Sequence, residues 1–188
     1  MRAHAFALLV ALSTFGCSRI MNGSGDSKPI PNYPGTADGL RAFATDLLTA
    51  CQRDERQQVH DYFASTIMTD AELKVLFGDG AAAITPRYHG LMEAMANRGA
   101  VELVAQVYEH KYDAVDVFPI DPAAKDVRAP DSAIARALKT PLNWYAIQIR
   151  KKADSAGLRY NFFFYLNGRW RTGNKLGSYL PSPDGGAP

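Results

Sequence analysis

Residues 141–173 read PLNWYAIQIRKKADSAGLRYNFFFYLNGRWRTG, and the fold class turns on this stretch. Asn167-Gly168 lies between two aromatic runs. It is a strong two-residue hairpin signal, because a type I′ turn needs positive φ at both central positions and Asn and Gly tolerate it. The turn predicts pairing of Leu166 with Arg169, Tyr165 with Trp170, Phe164 with Arg171, and Phe163 with Thr172. A second turn over Ala153–Gly157 folds Trp144–Arg150 back onto Leu158–Leu166. With Lys152 opposite Leu158, alternation of side chains puts Tyr145, Ile147, Ile149, Phe163, Tyr165 and Trp170 on one face, for helices to cover. Trp144, Gln148, Arg150, Tyr160, Phe162, Phe164, Arg169 and Arg171 fall on the other. That second face reads as solvated, with arginine stems lying over rings. The sharper alternative is a ligand or partner surface on which Trp144, Arg150, Tyr160 and Arg171 hold an anionic or sugar-like group.

Working back from the meander, the chain reads first as helices. Thr36 or Asp38 can cap a helix running to about Arg53, in which Leu40, Phe43, Leu47 and Cys51 share one face. Residues 54–63 extend or follow it. Thr69 and Glu72 have capping-box spacing, and Gly78 stops the short helix that carries Leu73, Leu76 and Phe77. Thr85-Pro86 reads as an N-cap with proline at the first helical position, and Gly99 as the end of that helix. VELVAQVY (101–108) and YDAVDVF (112–118) are rich in β-branched and aromatic residues and read as one bent strand or two short ones. Residues 119–141 read as loop with a single helix over 132–138. Helices followed by an antiparallel meander make an α+β order.

The N-terminus addresses the chain for export. Arg2 and His4 precede an apolar run from Ala5 to Leu12, the order of a secretory signal and too short to span a bilayer comfortably. The signal is therefore expected over residues 1–16. Gly16-Cys17, within TFGC, resembles the end of the bacterial lipobox, although Thr14 and Phe15 depart from the leucine and small residue usual there. The resemblance implies cleavage before Cys17 and a diacylglyceryl thioether on its sulfur. It makes the chain a membrane-anchored envelope lipoprotein, on the periplasmic face of the outer membrane in a double-membrane bacterium. Residues 17–36, rich in Gly, Ser and Pro, read as a tether; 37–175 as a single domain; 176–188 as a disordered tail.

With lipid on Cys17, Cys51 is a solitary thiol and packs as a small hydrophobe; without it, a Cys17–Cys51 disulfide is the default. A net charge of +2 with no basic run argues against a nucleic-acid partner. None of the usual metalloprotease, serine-hydrolase, nucleotide-loop or dithiol motifs occurs. His89 and Glu93 stand one helical turn apart, but with no further ligand indicated they read as an exposed pair rather than a metal site. His60 and Asp61, adjacent on a helix, are expected to point apart, and no cofactor is expected.

The helix-then-meander order and the aromatic-Asn-Gly-x-Trp hairpin resemble the NTF2-like and cystatin-like superfamily, in which a curved sheet wraps a long helix as a cone. The resemblance spans about residues 37–175. It implies that Tyr112, Asp113, Asp116 and Tyr145 could line such a cone, with no catalytic role carried over. Three functions remain in view: a non-enzymatic tethered module for an envelope protein; a small-molecule binding domain using the cone; and a cofactor-independent isomerase or hydrolase.

Overall fold

The computed structural model describes residues 27–121, 138 and 141–173. The signal segment, Cys17, the 132–138 helix and the 176–188 tail of the sequence reading lie outside the described residues, apart from residue 138 itself. The order is α1 (Ala37–Gln52), α2 (Arg56–Ser65), α3 (Asp70–Phe77), a 3₁₀ turn (Gly78–Gly80), α4 (Ala81–Ala94), a π turn (Met95–Gly99) and α5 (Ala100–His110). Four strands follow: β1 (Ala114–Ile120), β2 (Trp144–Arg150), β3 (Gly157–Leu166) and β4 (Arg169–Thr172). They form an antiparallel meander in the order β1-β2-β3-β4, so the protein is α+β.

The hairpin has the register that Asn167-Gly168 dictates. All four expected pairs form, and the two turn residues have φ of 51° and 77°. The β2–β3 register does not follow the expectation. Ile149 faces Leu158 and Ile147 faces Tyr160, yet Tyr145 faces Phe163, so β3 carries one extra residue in a bulge. Phe162, inside that bulge, is held at φ 66°, a conformation that costs a bulky residue about 1–3 kcal/mol. The bulge changes the parity of β3, which moves Tyr160 to the face of Ile147 and Ile149.

That face is covered as the alternation requires. Leu40, Phe43, Leu47 and Cys51 of α1, Val59 and Phe63 of α2, and Leu103, Val104 and Val107 of α5 pack with Val117, Ile147, Ile149, Phe163 and Trp170. These side chains fill the space between helices and sheet. The opposite face departs from the solvated reading: Trp144, Phe162 and Phe164 are buried under Leu73, Leu76 and Phe77 of α3 and Ile84, Tyr88 and Met92 of α4. The sheet thus lies between two helical layers, with exposed or half-buried polar side chains at its Gln148, Arg150 and Arg159 end and at Arg169 beside the hairpin turn.

Two helix readings are corrected. Residues 101–108 are helical, because Ala100, Leu103, Val104 and Val107 recur at helical spacing and are the buried ones, while Val101 and Tyr108 face solvent. Gly99 does not end the preceding helix; the backbone passes through the π turn into α5. Nor does Thr85-Pro86 begin one. Pro86 lies inside α4 and leaves the carbonyl of Ala82 without its helical N–H, on the solvent side where water can serve. The Thr69–Glu72 capping box forms in both directions, and Thr36 caps α1 by accepting from the Gly39 N–H at 3.1 Å.

The stretch before α1 is fastened to the domain over residues 27–36. Lys28 donates its N–H to Gln58 Oε1 at 2.8 Å, and its carbonyl accepts from Gln58 Nε2 at 3.0 Å. Trp170 Nε1 donates to the Pro34 carbonyl at 3.1 Å. Only glycine fits at position 39, where a Cβ would lie 2.0 Å from the Pro34 carbonyl oxygen.

Candidate functional site

The four residues of the sequence-derived ligand surface do not converge. Trp144 is buried, its ring edge-on to Phe162 and Phe164 at centroid distances of 5.6 and 5.0 Å. Arg171 is buried too. Its Nε and Nη2 donate to Glu72 Oε1 at 3.1 and 3.0 Å, and its Nη1 to the Ser65 and Ile67 carbonyls at 2.7 and 3.0 Å. Burial pushes the Glu72 carboxyl up, but the Thr69 N–H and the Arg171 guanidinium together outweigh it, and the net shift is below the ordinary value. Arg150 pairs with Asp116 and gives Nη1 to three carbonyls of the β2–β3 turn, those of Lys151, Lys152 and Asp154. Tyr160 stands on the other side of the sheet.

The remaining sequence candidates are also held by neighbours. His89 Nε2 lies 2.7 Å from Asp70 Oδ1 rather than against Glu93. His60 and Asp61 do not point apart: Nδ1 lies 3.1 Å from Oδ1, and Gln57 donates to the same carboxylate at 2.9 Å. Asp113 caps the β2–β3 turn by accepting from the Lys152 N–H at 2.7 Å, and Tyr145 packs edge-on to Trp170 at 5.6 Å. His110 ends α5 and stacks on Tyr112. Among the described residues no group of three or more His, Cys, Asp and Glu is placed to hold a metal, and no helix is long and apolar enough to cross a membrane.

The site the structure does assemble was missed by sequence reasoning. A groove of about 580 Å³ lies between the strap at residues 30–33 and the Asn167-Gly168 hairpin, with Phe43, Ser65, Arg169 and Trp170 in its walls. Tyr33 is the strap residue that fixes it. The ring is edge-on to Phe43, which is edge-on to Tyr62, with centroid distances of 5.5 and 5.3 Å. Its hydroxyl donates to Asp46 Oδ2 at 2.6 Å and lies 3.2 Å from the Tyr62 hydroxyl. Burial, and then the bond to Asp46, push the Tyr33 phenol far above its ordinary value; burial raises Tyr62 as well. A lone tyrosine between prolines, in PNYPG (31–35), was the available signal: a linker has no use for a buried ring.

Both phenols stay neutral at any ordinary pH, so the cluster is a fastening rather than an acid–base device. Burial also pushes Cys51 and Tyr160 up to about 12. These groups ionise in the unfolded chain at roughly 8.5–10 while the folded chain keeps them protonated, so their contribution is complete below that range and lost progressively as pH rises from it toward about 12. Denaturant titration is expected to give equal stability at pH 7 and 8, and a loss by pH 11 of about 1 kcal/mol for each tyrosine and about 3 kcal/mol for Cys51. Unchanged stability at pH 11 would contradict the burial of these groups.

No protein-family model matches the chain, and neither a curated protein nor a solved structure does.

Proposed function

We propose that the chain is a non-enzymatic, membrane-tethered interaction module of a bacterial cell envelope, exported by residues 1–16 and lipidated on Cys17. Its partner is an envelope protein, received in the groove between the strap and the hairpin. The observation that carries this reading is the strap itself. The peptide nearest the lipid-bearing cysteine forms one wall of the groove, so tether and binding surface are one piece of chain. Nine residues separate Cys17 from Ser27, which is ten residue steps and limits the reach to about 35 Å. The groove is thereby held close to the membrane.

Its chemistry suits an extended protein segment. Asn32, Ser65 and Asn167 offer amide and hydroxyl groups to a backbone, and Arg169 offers a cation to an acidic side chain. The engagement of Arg171, Glu72, Tyr33, Tyr62 and Tyr88 in structural hydrogen bonds supports a binding role over a catalytic one. For the fold, we favour an NTF2-like or cystatin-like plan, supported by α1 lying along one face of the meander. The α3–α4 layer on the opposite face is then an addition to that plan.

A photo-crosslinking residue placed at position 32 or 169 in the cells that make the protein tests the reading, with position 108 on α5 as control. A discrete protein adduct from 32 and 169, absent from 108 and lost with Cys17→Ala, is expected. Equal adducts from all three positions, no protein adduct from the groove, or an adduct indifferent to Cys17→Ala would overturn it.

A further inference from the structure

A second groove, of about 510 Å³, lies between the helices from α4 to α5 and β3, with Phe63 of α2 in its wall, and has none of the lining residues of the first. Its size falls in the range of small-molecule sites, roughly 300–1,000 Å³. Two backbone irregularities face each other across it. The helical wall contains the π turn, which contributes Met95, Arg98 and Gly99; the strand wall contains Tyr160, the last paired residue before the β3 bulge, and Asn161 within it. Both π turns and bulges occur disproportionately where a fold re-aims side chains toward a site. Here the bulge is maintained despite the strained φ of Phe162, and its result is to put the Tyr160 ring into this groove.

The groups brought together are unlike those of a packed interior. Phe63, Leu103 and Leu158 make an apolar floor, with the Tyr160 ring 6.2 Å from that of Phe63. Tyr160 is partly buried against that floor, and its hydroxyl makes no hydrogen bond among the described residues. Arg98 and Arg159 stand exposed at the rim. Arg98 has no ion pair among the described residues, and Arg159 gives only its Nε to Asn161, at 3.0 Å. Glu102 lines the same groove, so two guanidinium groups stand against one carboxylate.

We propose that this groove binds a monoanionic amphiphile, a compact apolar or aromatic body ending in a carboxylate. The body would lie on Phe63, Leu103 and Leu158, the carboxylate between Arg98 and Arg159, and an oxygen of the ligand would accept from Tyr160. This site goes beyond the tethered-module reading and does not depend on it, since none of its residues lines the strap groove.

The test is a titration of the full-length Cys17→Ala chain with 2-naphthoate, followed by the methyl resonances of Met95, Leu103 and Leu158. 2-Naphthalenemethanol serves as the uncharged counterpart. Saturable shifts at those methyls with naphthoate are expected, with binding at least tenfold weaker for the alcohol. Arg98→Glu with Arg159→Glu, both surface changes that should leave the melting temperature intact, is expected to weaken naphthoate at least tenfold and leave the alcohol unaffected. Tyr160→Phe should weaken naphthoate several-fold. No saturable shift at these methyls, equal affinity for acid and alcohol, or indifference to the charge reversal would overturn the proposal.

Discussion

Arg171→Met is expected to destabilise the domain by about 3–5 kcal/mol, the usual result of leaving one member of a buried ion pair without its partner. The guanidinium ties β4 to α3 through Glu72 and to the end of α2 and the connection after it through the Ser65 and Ile67 carbonyls, beside the Thr172 N–H, which donates to the Thr66 carbonyl. Its loss strands an ionised carboxylate with only its cap partner Thr69 and the Asn167 amide of the hairpin turn. Replacing both partners, Glu72→Met with Arg171→Met, should recover much of that loss, since two apolar side chains leave no buried charge behind. Urea denaturation with an unchanged m-value checks it. A single-variant loss under about 1 kcal/mol would mean that water reaches the pair. The pair also sets an acid limit. Because the folded-state pKa of Glu72 is lowered, its contribution is present above the unfolded value near 4.3 and disappears as pH falls through and below it.

Trp144→Ala is the second large effect, expected at about 3–5 kcal/mol. The indole begins β2 and is the piece of the sheet on which the α3–α4 layer closes, together with Phe162 and Phe164. Trp144→Phe should cost less than half as much, because a ring remains to fill the space. Thermal or denaturant unfolding separates the outcomes. A near-native Trp144→Ala protein would show that this face of the meander is open to solvent after all.

Both residues were read from sequence as members of a surface, and the reason they are not is instructive. Alternation correctly put Trp144, Phe162, Phe164 and Arg171 on one face; what it could not supply was a second helical layer to cover that face. Glu72 and Arg171 are 99 positions apart, and no local pattern joins them. The hairpin was legible because its signal is confined to Asn167-Gly168 and the strand residues beside it. The α1 stripe and the Thr69 cap were legible for the same reason. Tyr160 was misplaced because a single extra residue between it and Phe163 reverses the alternation of β3 across the bulge, and nothing in RYNFFFY marks where that residue lies. Residues 101–108 were misread because β-branched content favoured a strand, while packing of Leu103, Val104 and Val107 against α1 and α2 favoured the helix. Punctuation misled at Pro86 and Gly99, which the helix absorbs. The strap groove went unseen because Gly and Pro content signals a linker, whereas the buried ring of Tyr33 and the contact of Gly39 with Pro34 turn its last ten residues into a wall.

The central claim is that this domain is held at a membrane by lipid on Cys17. Acyl chains contribute about 0.8 kcal/mol per buried CH₂, so two or three of them make the anchoring stable. The direct measurement is the intact mass of the protein recovered from its native membrane fraction, beside that of the Cys17→Ala form. The account predicts a polypeptide beginning at Cys17 that carries the mass of two or three acyl chains, with the variant lacking that mass and leaving the lipidated fraction. An unmodified Cys17, or an N-terminus elsewhere, would contradict it.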